Sequence, residues 1–167
     1  PEQEEDYGLP EVSDVTGTIY EHCARALDHG LRLGPHGLPL MGTGDWNDGM
    51  NQVGAEGKGE SVRNGWFMLA TLREFASLAE QRRDSARAAW CLDRAEALRG
   101  ALEEHAWDGG WYRRAYFDDG TPLGSAQNDE CQIDSIAQTW AVISGGGDPE
   151  RARAAIAAVE DRLVREA

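Results

Sequence analysis

The chain has 167 residues and a formal net charge of −14, and 28% of its residues are charged. This acidity argues against binding to nucleic acid or to an anionic membrane surface, since both are polyanions. No apolar run approaches the roughly 20 residues of a membrane-spanning helix. Three scattered cysteines without metal-ligand spacing are expected to be reduced, buried and structural, which fits a cytoplasmic setting.

The beginning of the chain is predicted to lead into a first helix. Residues 1–12 are acidic and carry two prolines, so they are expected to form a solvated lead-in. Ser13 or Asp14 is predicted to cap a helix that runs to about His29 and ends at the glycines that follow. The apolar face of this helix is predicted to consist of Ile19, Cys23, Ala26 and Leu27.

The middle of the chain predicts two long helices joined by a short turn. The first runs from about Glu60 to Gln81, and the second from about Asp84 to His105. Apolar residues recur at helical spacing in both, which indicates one buried stripe on each helix. The stripes are Met68, Leu69, Leu72, Phe75, Ala76 and Ala79 in the first helix, and Cys91, Ala95, Leu98 and Leu102 in the second.

The period changes after the second long helix. Residues 111–117 are aromatic and roughly alternating, and the turn signal Asp118-Asp119-Gly120 follows, so a short β-hairpin is predicted. Another helix is expected over 131–144, and Asp148 is predicted to cap the last one. The inward residues of that last helix are predicted to be Ala152, Ala155, Ile156, Val159 and Leu163. The fold class is therefore all-α, with helical hairpins and one short β-hairpin.

The long loop 34–58 contains the most informative segment, Gly42 to Asn51, with the sequence GTGDWNDGMN. It places Asp45 and Asp48 three residues apart, with Trp46 and an asparagine between them, among glycines that prevent a regular helix. An indole offers an apolar face to a pyranose ring, and carboxylate and amide groups bind hydroxyls. One of the two carboxyl groups is then a candidate proton donor to a glycosidic oxygen.

Other interpretations of the segment stay open at this point. Asp, Asn and Gly are ordinary turn residues, so the segment also fits a tight turn with the indole in the core. Asp45, Asn47 and Glu56 occupy positions 1, 3 and 12 of an EF-hand-like loop, but Met50 stands where that loop needs glycine. A calcium-binding helical module and a non-catalytic carbohydrate-binding domain are the two alternatives to an enzyme.

Five stretches of the sequence carry a resemblance to a known family. The chain resembles the family 94 glycoside phosphorylases, and within them the C-terminal phosphorylase-like domain of cyclic β-1,2-glucan synthases. One departure is that Arg63-Asn64 follows Gly-Glu-Ser-Val, where the family usually has an aromatic residue. The five stretches are 36–51 (HGLPLMGTGDWNDGMN), 57–62 (GKGESV), 65–67 (GWF), 111–116 (WYRRAY) and 127–140 (QNDECQIDSIAQTW).

The resemblance implies a fold and a chemistry. The family fold is an (α/α)6 barrel, and at three to four turns per helix a chain of this length holds about five of its helices. Residues 1–167 are therefore expected to be a fragment of one catalytic domain, completed by the rest of the parent polypeptide. The resemblance makes Asp48 the general acid and inorganic phosphate the nucleophile, with no metal and no cofactor. Asp45 and Trp46 become contacts to the sugar at the cleaved bond.

The substrates implied are a β-linked glucan oligosaccharide and phosphate, with β-1,2-glucan chain-length control or phosphorolysis as the reaction. The fragment alone is expected to be inactive. The parent is expected to face the cytoplasm, on its own or as part of an inner-membrane protein, and a homodimer is compatible with the resemblance. Further polar residues are candidates either for the same end of the barrel or for helix capping: Glu60, Arg63, Gln132 and Asp134, with His36 as a residue that could approach the site.

Overall fold

The computed structural model of the chain describes residues 9–45 and 47–164, and for Asp48 it describes the backbone alone. The helices are α1 (Ile19–Gly30), α2 (Val62–Gln81), α3 (Ser85–Ala101), α4 (Ser135–Ile143) and α5 (Pro149–Leu163). The strands are β1 (Glu60–Ser61), β2 (Ala115–Tyr116) and β3 (Pro122–Leu123). A 3-10 turn covers Asp48–Met50, and a π-helical turn, Leu102–Ala106, extends α3. The predicted all-α fold with helical hairpins and one short β-hairpin is confirmed.

The hairpin of α2 and α3 forms the centre of the fold. Both buried stripes predicted from the sequence face each other here, with Met68 only partly buried. Asp84 caps α3 by accepting a hydrogen bond from the Arg87 amide at 3.1 Å. Trp66 is fully buried in α2 and meets Tyr112 edge to face, with 5.2 Å between the ring centroids. The aromatic segment that follows α3 therefore packs on the same core.

Helix α1 begins later than predicted and buries a different face. The sequence predicted Ser13 or Asp14 as the cap, but Thr18 caps the helix and exchanges hydrogen bonds with Glu21 in a capping box. In this box the Thr18 side chain accepts from the Glu21 amide and the Glu21 side chain accepts from the Thr18 amide, so two amide groups that have no partner within the helix are satisfied. Ala24 and Leu27 are buried, whereas Ile19 is 83% exposed. Of the predicted lead-in, residues 9–12 are exposed and irregular, and 1–8 lie outside the described residues.

Helix α4 also starts four residues after its predicted beginning. Cys131 has a positive φ of 52°, a left-handed conformation that a helix cannot include. Asp134 then caps α4 by accepting from the Ile136 amide at 2.7 Å. The expectation of buried thiols is wrong for two of the three cysteines. Cys91 is buried, but Cys23 and Cys131 are exposed, and all three are free thiols.

The small sheet has one more strand than the sequence predicted. β1 pairs antiparallel with β2, placing Glu60 opposite Tyr116, and β2 pairs antiparallel with β3. The sequence predicted a helix from Glu60, but Glu60 and Ser61 are extended because both of their sides are paired. Leu40 bridges Glu60, and the Ser61 amide donates to the Pro39 carbonyl oxygen at 2.9 Å. The sheet therefore joins the start of α2 to the hairpin and to the loop before the motif.

Several apolar side chains of the outer helices have no covering layer. Ile143 at the end of α4 is 63% exposed, and Val142 beside it is about half exposed. Ile156 and Leu163, predicted to point inward, are also exposed on α5. Exposed apolar surface of this kind marks faces that pack against further protein. Among the described residues, no helix is long and apolar enough to cross a membrane.

These faces predict how the isolated chain behaves in solution. We expect the 167-residue chain to self-associate as its concentration rises, because burial of apolar surface drives association. Size-exclusion chromatography with light scattering measures this directly. Ile143→Lys combined with Ile156→Lys should reduce the association, whereas Glu130→Lys, which changes charge at an exposed polar site, should not. A monodisperse monomer over the whole concentration range would contradict the prediction.

Candidate functional site

The segment 42–51 is called the motif loop below, and several of its described residues have defined backbone contacts. At its base the Met41 amide donates to the Gly59 carbonyl oxygen at 2.8 Å. The Asn47 side chain caps the 3-10 turn by accepting from the Gly49 amide at 3.0 Å. Gly54 packs so closely on Gly42 that a Cβ atom there would lie 2.7 Å from the Gly42 carbonyl oxygen. The loop is therefore held at its base and at its turn by contacts that depend on glycine and asparagine.

Asp45 is the best-anchored side chain of the motif loop. Its side chain is 0% exposed. One carboxylate oxygen, Oδ1, accepts from the Asn47 amide and from Arg114 Nη2, both at 2.9 Å. The other, Oδ2, lies 2.8 Å from the same Nη2 and accepts from the Ser61 hydroxyl at 2.9 Å. Both oxygens thus have protein donors within hydrogen-bond distance.

Arg114 connects this carboxylate to the rest of the domain. The residue immediately precedes β2, and its side chain is 2% exposed. Its Nη1 lies 3.4 Å from the Ser61 hydroxyl, and its Nε lies 3.5 Å from Asp134 Oδ2 at the cap of α4. A single guanidinium therefore touches the motif loop, the start of α2 and the start of α4.

Sequence reasoning did not identify this role for Arg114. Arg114 lies in the aromatic, alternating segment 111–117, for which the sequence predicts only a short β-hairpin. The available signal is a pair of arginines between two tyrosines, in the stretch predicted to form the β-hairpin. Burial of an arginine is costly unless an anion pairs with it, and a carboxylate elsewhere in the chain is one such anion.

The three predicted site residues are placed to different degrees. Asp48 begins the 3-10 turn of the motif loop, but its side chain lies outside the described residues, as does the whole of Trp46. The sugar contacts predicted for Asp45 and Trp46 and the acid role of Asp48 stay predictions. What the geometry adds is that Asp45 is bound to the domain itself, three residues before Asp48.

Glu60 turns away from the motif loop and holds the preceding loop. Its carboxylate accepts from the amides of His36 and Leu38 at 3.0 and 3.1 Å, and it lies 2.5 Å from His36 Nδ1. The His36 ring stacks on Tyr116 with 3.9 Å between centroids. A Cβ atom at Gly34 would lie 2.5 Å from the Glu60 side chain, so this packing requires glycine. Glu60 and His36 therefore shape the loop that leads into the motif.

Two further polar candidates, Gln132 and Asp134, have structural contacts. The backbone carbonyl of Gln132 accepts from Trp111 Nε1 at 2.9 Å, and its side chain donates to the Asn128 carbonyl oxygen. Asp134 caps α4 and faces Arg114. Of the two, only Asp134 belongs to the cluster around Asp45.

Asp118 fastens the segment after the motif loop to the hairpin. Its carboxylate accepts from the amides of Glu56, Lys58 and Gly59, each at 2.8 Å. Partial burial would raise the pKa of this carboxyl, but the three amide donors and the Lys58 charge outweigh it, so the pKa lies below its ordinary value. Beside this clamp lies a cavity of about 310 Å³, lined in part by His36, Lys58 and Phe117.

The described residues contain no group of three or more His, Cys, Asp or Glu side chains that could hold a metal ion. Charge in this region is instead arranged as pairs of acids with arginines or with amide donors. Such an arrangement positions loops and offers hydrogen bonds to hydroxyl groups.

The sequence and the fold of the chain are similar to those of several known proteins. Residues 5–167 match the model of the catalytic domain of the glycosyl hydrolase 94 superfamily. The chain is 54% identical over 163 residues to the cyclic beta-(1,2)-glucan synthase NdvB of Rhizobium meliloti (strain 1021), covering 97% of this chain and 6% of that protein. It is 39% identical to a 3-O-beta-D-glucopyranosyl-beta-D-glucuronide phosphorylase and 40% identical to a solabiose phosphorylase, both of Paenibacillus borealis, covering 89% and 93% of this chain.

The chain spans only a small part of these relatives, 19% and 20% of the two phosphorylases. Among solved structures it is similar to a GH78 family rhamnosidase of Bacillus sp. GL1, with a TM-score of 0.66 and 20% identity. That match covers 86% of this chain and 15% of the rhamnosidase. At this identity the likeness concerns the fold alone.

The Asp45–Arg114 pair predicts a large effect on stability. Arg114→Met leaves a buried carboxylate without its cation, so we expect a loss of about 3–5 kcal/mol in the free energy of unfolding. Urea denaturation of the catalytic domain that contains this chain, followed by tryptophan fluorescence, measures the loss. The double variant Asp45→Asn with Arg114→Met should lose less than the sum of the two single variants.

An exposed ion pair provides the matched control for this experiment. Arg99 and Glu96 on α3 lie 2.6 Å apart at the surface, so Arg99→Met should cost less than about 1 kcal/mol. Equal losses for Arg114→Met and Arg99→Met would show that burial of the first pair contributes nothing.

The Asp118 clamp predicts a pH dependence. Because the folded-state pKa is lowered, the clamp stabilises the segment at pH values above the ordinary carboxyl pKa, and this stabilisation is lost as the pH falls through the folded-state pKa. Hydrogen exchange of the Glu56, Lys58 and Gly59 amides should therefore accelerate, relative to intrinsic rates, on acidification. Asp118→Asn should accelerate it at neutral pH. The Asp119 carboxylate accepts from the Thr121 amide in its own turn, so Asp119→Asn should leave these amides protected.

Proposed function

The chain belongs to the glycosyl hydrolase 94 superfamily, and from this membership we propose that it is the acid-bearing part of an inverting phosphorylase-type domain acting on β-linked glucans. Asp48 is the general acid, and inorganic phosphate is the nucleophile and co-substrate. No metal or other cofactor takes part. Asp45 and Trp46 help to bind the sugar at the cleaved bond, Trp46 by contact and Asp45 at least by fixing the loop.

The observation that carries this proposal is the anchoring of the motif loop. A general acid acts well only when its carboxyl group is held in hydrogen-bond reach of the leaving oxygen. The buried contacts of Asp45 fix the chain three residues before Asp48, and the Asn47 cap fixes the turn that Asp48 begins. A glycine-rich segment would otherwise be the most mobile part of the site. The domain therefore supplies the rigidity that this chemistry needs.

The proposed reaction balances with a single carboxyl group. A phosphate oxygen forms a bond to the anomeric carbon while the bond from that carbon to the glycosidic oxygen breaks. The Asp48 proton passes to the departing oxygen, so the products are a sugar with a free hydroxyl and a glycosyl phosphate of inverted configuration. A hydrolase of the inverting type would need a second carboxylate as base for water. Phosphate, already an anion, needs no such base.

The substrate and the rest of the site are part of the same proposal. Identity of 54% with a cyclic beta-(1,2)-glucan synthase supports a β-1,2-glucan substrate, cleaved or adjusted in length. Because the chain covers about a fifth of the phosphorylases it resembles, segments outside it complete the barrel and supply most of the phosphate contacts and part of the sugar site. The chain on its own is then inert, and the complete protein is the enzyme.

A non-catalytic carbohydrate-binding domain is the main alternative to this function. Such a domain would bind β-glucan oligosaccharides with the same loop but would not exchange the glycosidic bond for phosphate. Phosphate-dependent formation of a glycosyl phosphate by the complete protein separates the two functions. Binding without turnover would favour the alternative.

The acid role of Asp48 is tested by Asp48→Asn in the complete protein. We expect phosphorolysis to fall by about 10²–10⁴-fold, the usual contribution of a general acid, while oligosaccharide binding stays nearly unchanged. Initial rates of glycosyl phosphate formation and a calorimetric titration with the oligosaccharide measure the two quantities.

Asp93→Asn, at an exposed position on α3, is the control and should keep full activity. Asp45→Asn is expected to lower stability as well as rate, because its carboxylate is buried against Arg114. A full loss of rate with Asp45→Asn and none with Asp48→Asn would show that Asp45, and not Asp48, is the general acid.

A further inference from the structure

Arg63, in the first turn of α2, is a buried guanidinium with no ion-pair partner among the side chains that the structure describes. The residue is 8% exposed. Its Nη1 donates to the Asn64 side-chain oxygen at 2.8 Å, while its Nε is buried and has no hydrogen-bond partner in the described part of the chain. Within residues 9–45 and 47–164, no carboxylate of known side-chain position lies within 4.0 Å of this group.

Two aromatic rings fix the plane of this guanidinium. Its central carbon lies 5.1 Å from the ring centroids of both Phe67 and Trp140. The two rings meet nearly at right angles, with an interplanar angle of 89°, and so form a corner around Arg63. Stacking of this kind holds an arginine in one orientation without neutralising its charge.

The surroundings of Arg63 are otherwise unfavourable for a cation. The amino-terminal end of a helix carries partial positive charge, so an arginine in the first turn opposes the helix dipole. Burial lowers the pKa of Arg63; the Asp45 charge opposes this shift, and the neighbouring Arg114 adds to it. Because Asp45 already forms an ion pair with Arg114, its negative charge is not available to Arg63 alone. A buried positive charge in such a place lowers the stability of the fold unless an anion pairs with it.

The edge of the guanidinium that carries the unsatisfied Nε suits one class of ligand. With Nη1 used by Asn64, the N–H groups of Nε and Nη2 lie side by side along the remaining edge of the fork. Two parallel donors of this spacing match two oxygens of a carboxylate or a phosphate group. The buried Nε, the rings and the adverse helix end therefore all indicate an oxyanion.

We propose that Arg63 is an oxyanion-binding residue of the substrate site, which holds a phosphate or carboxylate group of the reactants through Nε and Nη2. The inference rests on the proposed function, because it places Arg63 beside the acid-bearing loop. The link is Ser61, whose hydroxyl accepts from the Asn64 amide at 3.1 Å and donates to Asp45 at 2.9 Å. The oxyanion is supplied either by inorganic phosphate or by an acidic group on the acceptor sugar.

The test uses the complete protein with Arg63→Gln and Arg63→Lys. In one arm, phosphorolysis is measured over a range of inorganic phosphate concentrations. In the other, the reverse reaction from glucose 1-phosphate is measured with glucose or with glucuronic acid as acceptor, two sugars that differ at C6 by a hydroxymethyl group against a carboxylate. Arg63→Gln is expected to lower kcat/KM for the oxyanion by about 10- to 100-fold, the worth of a charge-assisted bidentate contact.

The pattern of losses identifies the source. A loss for inorganic phosphate and for glucose 1-phosphate, equal with both acceptors, assigns Arg63 to phosphate. A loss confined to glucuronic acid assigns it to a sugar carboxylate. Arg63→Lys should recover part of either loss, since it keeps the charge without the fork. Arg73→Gln, on the same helix but bonded to the carbonyl ends of α4, is the control and should change neither arm.

Other outcomes overturn the proposal. A fall in melting temperature with unchanged kcat/KM for both oxyanions would show that a carboxylate of the protein itself pairs with Arg63. Absence of turnover in the unmodified protein would count against the proposed function instead. Calorimetric titration with sodium phosphate and sodium glucuronate then decides the matter, and binding of neither ligand that depends on Arg63 would refute the inference.

Discussion

The ion pair between Asp45 and Arg114 is the interaction on which the arrangement of the site depends. Both side chains are removed from water, and neither charge would be tolerated there alone. Satisfying the carboxylate requires Ser61 at the start of α2 and Arg114 at the start of β2 to be in place at once. The motif loop, the central helical hairpin and the sheet consequently adopt their positions together. A loop rich in glycine is ordered by charge burial instead of by its own backbone preference.

The three short strands depend on the Asp45–Arg114 pair and on the contacts beside it. Strands of two residues are too short to be stable as an independent sheet. Here side-chain contacts hold the strands at their ends. Ser61 is the last residue of β1, and Arg114 directly precedes β2. Asp118, in the turn between β2 and β3, accepts hydrogen bonds from the segment 56–59. The sheet therefore fixes the distance between the motif loop and the amino-terminal ends of α2 and α4. Its hydrogen bonds define register, and the charged contacts supply the attachment.

The sequence was a good guide to elements with periodic apolar residues and a poor one to their ends. Helices α2 and α3 were predicted almost in full because their buried stripes repeat over many turns. The predicted beginnings of α1 and α4 are wrong. The capping box at Thr18 and the left-handed conformation of Cys131 are local features, and the sequence offers several neighbouring residues as equally plausible helix starts. The motif loop was recognised by its composition and its family resemblance. Arg114 was missed because pairing over a long sequence separation leaves no periodic signal.

That separation has a consequence for how the protein is made. Asp45 and Arg114 are 69 residues apart in the chain, and ribosomes add roughly 5–20 residues per second, so the carboxylate waits about 3–14 s for its partner during synthesis. Until then Asp45 stays hydrated and the motif loop is unformed, while the local hairpin of α2 and α3 can already assemble. The motif loop thus becomes ordered only after the central helical hairpin has been synthesised. A ribosome pausing between the two residues would lengthen that interval without altering the native state.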